Sequence, residues 1–280
     1  MLSKLLKYEF KATGRTYGGL YLAILAAAAL LGISFRIPAL LVHTAPIAVL
    51  MIVYMALVVA VVVMTILTII QRFTRNLLGR EGYLMHTLPV SSVQLILSKL
   101  LSSMVWVLCS ILVVALSFVV FSLFGSISSS ALSDLFHGIS SYGPELTSLL
   151  GKAIRGYGFT MVLMVLEWLA SLACALLCLY TACMIGHQFK QQFVLVSIAA
   201  FVLLNVAQNQ ILNHLPYNTG STTGLDLVVT AATDGSLSYT VTGNKAYGWA
   251  VLTALAADLV LCAVYFAATN WLMKNKLDLE

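Results

Sequence analysis

The chain has 280 residues, of which 61% are hydrophobic and only 9% charged, and its net charge is +5. A soluble domain carries about 25% charged residues, so the composition excludes a soluble globular protein and points to an all-α integral membrane protein. No internal repeat of 20–50 residues is visible. No apolar stretch ending in a small-residue cleavage site follows the charged N-terminus, so no signal peptide is read there.

In chain order, the first element is residues 1–16. Leu2, Leu5, Leu6 and Phe10 fall near one helical face, with Lys4, Lys7, Lys11 and Arg15 elsewhere. This spacing predicts an amphipathic helix lying on a membrane surface. Six runs of about 20 apolar residues follow, the length needed to cross the hydrocarbon core. They cover Tyr17–Ile33, Ala45–Ile70, Leu97–Phe124, Phe159–Ile185, Phe193–Leu212 and Trp249–Leu272. Residues 71–96 separate the second and third spans. Residues 125–158 show apolar positions at helical spacing, interrupted by Gly143–Pro144, and predict one or two short helices. Residues 213–246 place β-prone residues on both sides of Asp234–Gly235, a favoured two-residue turn, and predict a small β-hairpin. The whole chain, 1–280, reads as one transmembrane domain.

Lys and Arg flanking the spans set orientation. With the N-terminus inside, the inner segments hold Lys4, Lys7, Lys11, Arg15, Arg72, Arg75, Arg80, Lys99, Lys190, Lys274 and Lys276. The outer segments hold only Arg36, Lys152, Arg155 and Lys245. Both termini are therefore expected in the cytoplasm, with 125–158 and 213–246 outside. The positive charge is a topology signal rather than a footprint for nucleic acid.

Motifs for a self-contained enzyme are missing. There is no Gly-x4-Gly-Lys-Ser/Thr phosphate loop, no His-Glu-x-x-His, no Cys-x-x-Cys and no Gly-x-Ser-x-Gly elbow. The histidines at 43, 86, 137, 187 and 214 are scattered over both sides, and no metal site is expected. The cysteines Cys109, Cys174, Cys178, Cys183 and Cys262 all lie in apolar runs and read as small packing residues.

Two carboxylates fall within spans, Glu167 in the fourth and Asp258 in the sixth. A central Asp costs roughly 2.5–3.5 kcal/mol on insertion scales, and such residues face a bundle interior or a water-filled path. Each is either a substrate-path or proton-linked group or a hydrogen-bonded packing residue beside Trp168 or Thr253. Asn205, Gln208 and Asn209 in the fifth span share a face, which either bonds neighbouring helices or lines a path. Ala170, Cys174, Cys178 and Ala182 form a small-residue stripe suited to close helix contact.

The segment between the second and third spans is unusual. Ser91 can cap a helix with Gln94 three residues later and Val90 and Leu95 as a staple, so the third span begins near Ser92. Before it, Asn76 to Leu88 carries Leu77, Leu78, Tyr83, Leu84 and Leu88. That stretch is too short to span and too apolar to float, so a partner protein or the membrane surface must take its face.

"RFTRNLLGREGYLMHTLPVSSVQLILSK" resembles the loop between the second and third spans of permease subunits of type-2 ABC exporters, in particular their small six-span bacterial members. In that family the loop reads much like Gly-x-Glu-Gly-Tyr-Leu, then Thr-Leu-Pro-Val-Ser, then Gln-Leu and a Lys. "KLLKYEFKATGR" resembles the same family's N-terminal interfacial helix, and the six-span layout agrees over the whole chain. The resemblance implies a permease in a bacterial cytoplasmic membrane, pairing as a homo- or heterodimer and docking two cytoplasmic ATPases. It makes residues 77–88 a coupling helix, with docking carried by Leu77, Leu78, Arg80, Glu81, Tyr83, Leu84 and Leu88, chief among them Arg80, Glu81 and Tyr83. ATP and Mg would sit on the partner, leaving this chain with no bound cofactor and no catalysis of its own. The family also places a re-entrant helical element before the sixth span, where this chain carries its β-prone segment. Two alternatives stand beside this reading: a scaffold or sensor subunit that moves no substrate, and a stand-alone secondary transporter using Glu167 or Asp258.

Overall fold

In the computed structural model of the chain, residues 2–35, 37, 44–74, 92–126, 129–189, 192–214, 225–231, 237–243 and 245–275 are described. Six of its helices are α1 (Leu2–Ser34), α2 (Thr44–Phe73), α3 (Ser92–Ser126), α4 (Ser129–His187), α5 (Phe193–Asn213) and α6 (Lys245–Asn275). Each contains a stretch long and apolar enough to cross a membrane: Tyr17–Ser34, Ala45–Phe73, Ser92–Gly125, Gly158–His187, Phe193–Asn213 and Gly248–Asn275. The chain is a multi-pass membrane protein in architecture. Exposed Trp249 and Trp271 stand near the two ends of the α6 stretch. At 1.5 Å per residue they are about 33 Å apart, the spacing at which Trp sits at both faces of a hydrocarbon core.

Two expectations are corrected. Residues 1–16 are not a helix separate from the first span, because α1 runs unbroken from Leu2 to Ser34. Nothing in "KATGRTYGGL" stops it: there is no proline, and Gly14, Gly18 and Gly19 cost a helix only about 1 kcal/mol each. Gly143–Pro144 does not divide 125–158 into short helices either. α4 passes through it as a single helix of 59 residues. Gly143 has no Cβ, which relieves the clash that usually drives the residue before proline out of the helical region. The part of α4 before Gly158 is about 43 Å long by helical rise and lies outside the membrane-crossing stretch.

Between α5 and α6, β1 (Leu225–Ala231) and β2 (Leu237–Gly243) pair antiparallel, with Val228 opposite Thr240 and Asp226 opposite Thr242. The Asp234–Gly235 turn lies outside the described residues.

The chain divides into two compact units, Met1–His137 with Asp278–Glu280, and Gly138–Leu277. In the first, contacts between α1 and α3 advance in the same chain direction: Tyr17 stacks on Trp106 with ring centroids 4.5 Å apart, Tyr21 meets Ser110, and Gly32 meets Gly125. These helices are parallel. α2 runs against α3, since Tyr54 meets Ser117 while Thr65 meets Ser110. The core between them holds Ile24, Ala28, Leu31, Tyr54 and Val61, packed on Val113, Val114, Val120 and Phe121.

A chain of hydroxyls ties these three helices together. Tyr21 Oη lies 2.7 Å from Ser110 Oγ, Ser110 Oγ lies 2.9 Å from Thr65 Oγ1, and Thr65 donates to the Val61 carbonyl at 2.7 Å. Tyr21 donates to Ser110 and Thr65 to its own backbone, while the single Ser110 hydrogen is shared between Thr65 and the Trp106 carbonyl at 2.9 Å. Tyr54 gives a second link to buried Ser117 at 2.9 Å, and Ser117 donates to the Val114 carbonyl. In a lipid setting such bonds hold helices together where apolar contact alone gives little preference over lipid.

The second unit repeats the directions. α4 and α6 are parallel, because Ala170 meets Cys262 and Thr181 meets Thr269. α5 turns back on α4, because Gly186 meets Ser197 and Cys178 meets Asn205. The turn between them is closed by backbone bonds, among them Phe189 N–H to the Gly186 carbonyl at 3.0 Å.

Candidate functional site

The small-residue stripe of α4 brings three helices into contact. Cys174, Cys178 and Ala182 are buried, and their short side chains let α5 and α6 approach. What fills the space is polar. Nearest Gly158, Glu167 and Asp258 lie close enough to act on each other electrostatically. Asp258 is only 4% exposed and accepts a hydrogen bond from Ser171, one helical turn along α4 from Glu167. Thr253 donates instead to the Ala250 carbonyl, and Trp168 is exposed. Ser171 is thus a neighbour of Asp258 to which the sequence did not point.

One turn further along, the Cys174 and Cys262 thiols lie beside each other. Cys262 Sγ also lies 3.6 Å from the Ala170 carbonyl. Next come Cys178, Asn205, Gln208 and Tyr265. Asn205 Nδ2 donates to Cys178 Sγ at 3.7 Å and to the Phe201 carbonyl at 2.9 Å. The Tyr265 hydroxyl reaches Gln208 Oε1 at 3.4 Å and the Cys178 thiol. The series ends at fully buried Thr269, whose hydroxyl is 3.0 Å from that of Thr181 and donates to the Tyr265 carbonyl at 2.8 Å.

These residues form one continuous polar seam along α4, α5 and α6. It carries carboxylates, thiols, amides and hydroxyls. Residues 158–186 and 248–273 contain no Lys, Arg or His, so the two helices that line most of it supply no cation along those stretches. Among the described residues, no three His, Cys, Asp or Glu side chains converge as a metal ion would require.

The chain matches no protein-family model, no curated protein and no solved structure. The seam is therefore described by its own residues. It gathers four of the five intramembrane polar residues singled out above: Glu167, Asp258, Asn205 and Gln208. Asn209 is not among them; it is exposed. The helical wheel put it beside Asn205 and Gln208, but α6 meets α5 on the side of Gln208. The sequence reading missed Ser171 and Tyr265. It also took the cysteines as apolar filler, whereas Cys174, Cys178 and Cys262 each hold a polar contact. The available signal was spacing: Cys174 and Cys178 are one turn apart, in register with Glu167 and Ser171.

The expected docking residues Leu77, Leu78, Arg80, Glu81, Tyr83, Leu84 and Leu88, and the cap residue Ser91, lie outside the described residues. α3 begins immediately after them, at Ser92.

Proposed function

We propose that this chain is the membrane-spanning permease subunit of an ATP-driven exporter, coupled to a separate cytoplasmic ATPase through residues 77–88. The observation that carries this reading is the sequence of that segment. An apolar stretch too short to span sits between two membrane-length helices, in a motif resembling the coupling loop of type-2 ABC exporter permeases. The Lys and Arg asymmetry supports a cytoplasmic position for it and for both termini, in a bacterial cytoplasmic membrane. It also supports an outer position for the β1–β2 ladder and for the part of α4 before Gly158. On this reading the permease pairs with a second permease subunit, and ATP and Mg belong to the ATPase.

The mechanism is conformational. Nucleotide binding closes the ATPases, the 77–88 segments move with them, and the spans change state. The ATPase can shift the permease only by the difference in its docking energy between the two states. Truncating a docking side chain should therefore uncouple the subunits without unfolding the spans. Tyr83→Ala and Glu81→Ala are expected to reduce co-purification of the ATPase and its stimulated activity at least tenfold, with unchanged thermal stability of the permease in detergent. Unaltered binding and activity in both variants would sink the docking assignment.

A second reading has its own support in the proximity of Glu167 and Asp258, which suits an ion-coupled secondary transporter. It requires the purified chain alone to move cargo in proteoliposomes, with transport abolished by a proton ionophore. The exporter reading requires no transport without the ATPase.

A further inference from the structure

We infer that the α4–α6 seam of the second unit is a water-access path, closed in this conformation, that opens to admit a cationic or hydrogen-bond-donating group. The inference adds the location and chemistry of the path to the exporter reading and is tested without the ATPase. It begins from a contrast in chemistry. α1 and α3 meet through aromatic stacking and through Gly32, where a Cβ would come within 2.7 Å of Phe124 Cβ and 2.9 Å of the Phe121 carbonyl oxygen. That contact is close and backbone-limited, and its hydroxyl link, Tyr21 to Ser110, is short at 2.7 Å. α4 and α6 meet through Glu167, Ser171 and Asp258, then Cys174, Cys262 and Tyr265, and at the far end through Thr181 and Thr269.

Several of the seam's links are long. The two heavy-atom distances to sulfur are 3.6 and 3.7 Å, and Tyr265 to Gln208 is 3.4 Å. Of these only the Cys262–Ala170 link joins α4 to α6, and a bond of that length contributes little; the 3.0 Å Thr181–Thr269 bond holds the opposite end of the pair, so the helices part at the end of Glu167 and Asp258. Water entering the gap would meet carboxylates, hydroxyls and amides rather than hydrocarbon, and burying such groups without strong partners is what costs energy. A seam used only for packing has no need of a carboxylate 4% exposed beside a second carboxylate. An apolar pair of the same size would hold the helices together at no desolvation penalty. With two acids and no Lys, Arg or His along the crossing stretches of α4 and α6, the path favours a positive or donating group over an anion.

The native cysteines report on this directly. Cys174 is fully buried and Cys262 is part-buried in the seam, whereas Cys109 lies in α3 of the first unit and is also part-buried. The experiment treats the full chain in nanodiscs with a small charged methanethiosulfonate, without ATPase, and maps modified cysteines by peptide mass spectrometry over time. Cys262 and then Cys174 are expected to react at least five times faster than Cys109. Asp258→Leu, which removes the seam's buried carboxylate, is expected to bring both rates down to that of Cys109, and Asp258→Asn to leave them within twofold. Equal rates at all three cysteines in the unmodified chain would overturn the path, as would rates indifferent to Asp258→Leu. Because the readout needs no partner, its failure leaves the docking of residues 77–88 untouched, and a failed docking test leaves this one standing.

Discussion

The two three-helix units use one arrangement of directions and two kinds of adhesive. In Met1–His137 the parallel pair α1–α3 is held by a glycine crossing, aromatic stacking and the Tyr21–Ser110 hydroxyl link, and Ser110 in turn fastens α2 through Thr65. In Gly138–Leu277 the parallel pair α4–α6 is held by acids, thiols and a tyrosine, and α5 leans on that pair through amides. The first unit has the chemistry of a fixed element, because its tightest contacts involve backbone atoms that cannot yield. The second has the chemistry of an interface that can exchange its partners for water.

The largest expected effect tests the fixed element. Gly32→Ala forces a Cβ against Phe124 Cβ, the Phe121 carbonyl and the Gly125 nitrogen, at 2.7, 2.9 and 3.0 Å. Overpacking of this kind costs about 1–3 kcal/mol and should appear as a lowered unfolding temperature in detergent. Gly125→Ala is the control, because its Cβ would meet nothing nearer than Gly32 Cα at 3.8 Å. If the two variants melt alike, the crossing does not limit stability.

The second unit has one comparable contact, at the α4–α5 turn. A Cβ on Gly186 would fall on Ser197 Oγ and 2.9 Å from the Phe193 carbonyl. The serine can rotate away, but the carbonyl is fixed. Gly186→Ala should therefore destabilise by about 1–2 kcal/mol, and Ser197→Ala in the same chain should restore only part of it. Full rescue by Ser197→Ala would show that the carbonyl gives way.

Smaller effects compare the two adhesives. Ser110→Ala breaks the hydroxyl chain at its centre and strips partners from Tyr21 and Thr65 together. Intramembrane hydrogen bonds average about 0.6 kcal/mol each, so about 1 kcal/mol is expected for the pair. A double-mutant cycle with Tyr21→Phe should give a coupling energy of a few tenths of a kcal/mol or more, and none would disconnect the chain. The smallest change is Asn205→Leu. It removes a 3.7 Å contact to sulfur and a bond within its own helix, and melting should move by less than Ser110→Ala moves it. A larger loss would mean the seam is glued more firmly than its distances indicate.

Some features needed no structure to read. The six membrane-length helices follow from apolar run length, since a crossing needs about 20 such residues. Their limits shift by only a few residues, because Lys, Arg and turn formers bracket most of them. Pro144 misled in the other direction: local propensity favours a break, but Gly143 before it relieves the clash with the proline ring and lets α4 continue. Asn209 misled because a helical wheel shows which residues share a face and not which part of that face meets a neighbour. The cysteines misled because a thiol in an apolar run is indistinguishable from filler until its neighbours are known.

The sequence by itself determined that this is a six-span membrane protein, because hydropathy is summed along a single helix and needs no knowledge of its neighbours. It also determined where the charges fall along the chain. Only the tertiary structure decided that Glu167, Ser171 and Asp258 share one seam, and that Cys174, Cys262 and Tyr265 belong to it too. Those contacts join residues nearly ninety positions apart, and their register depends on how small side chains let parallel helices slide together. Pattern along one chain does not carry that information; packing between helices does.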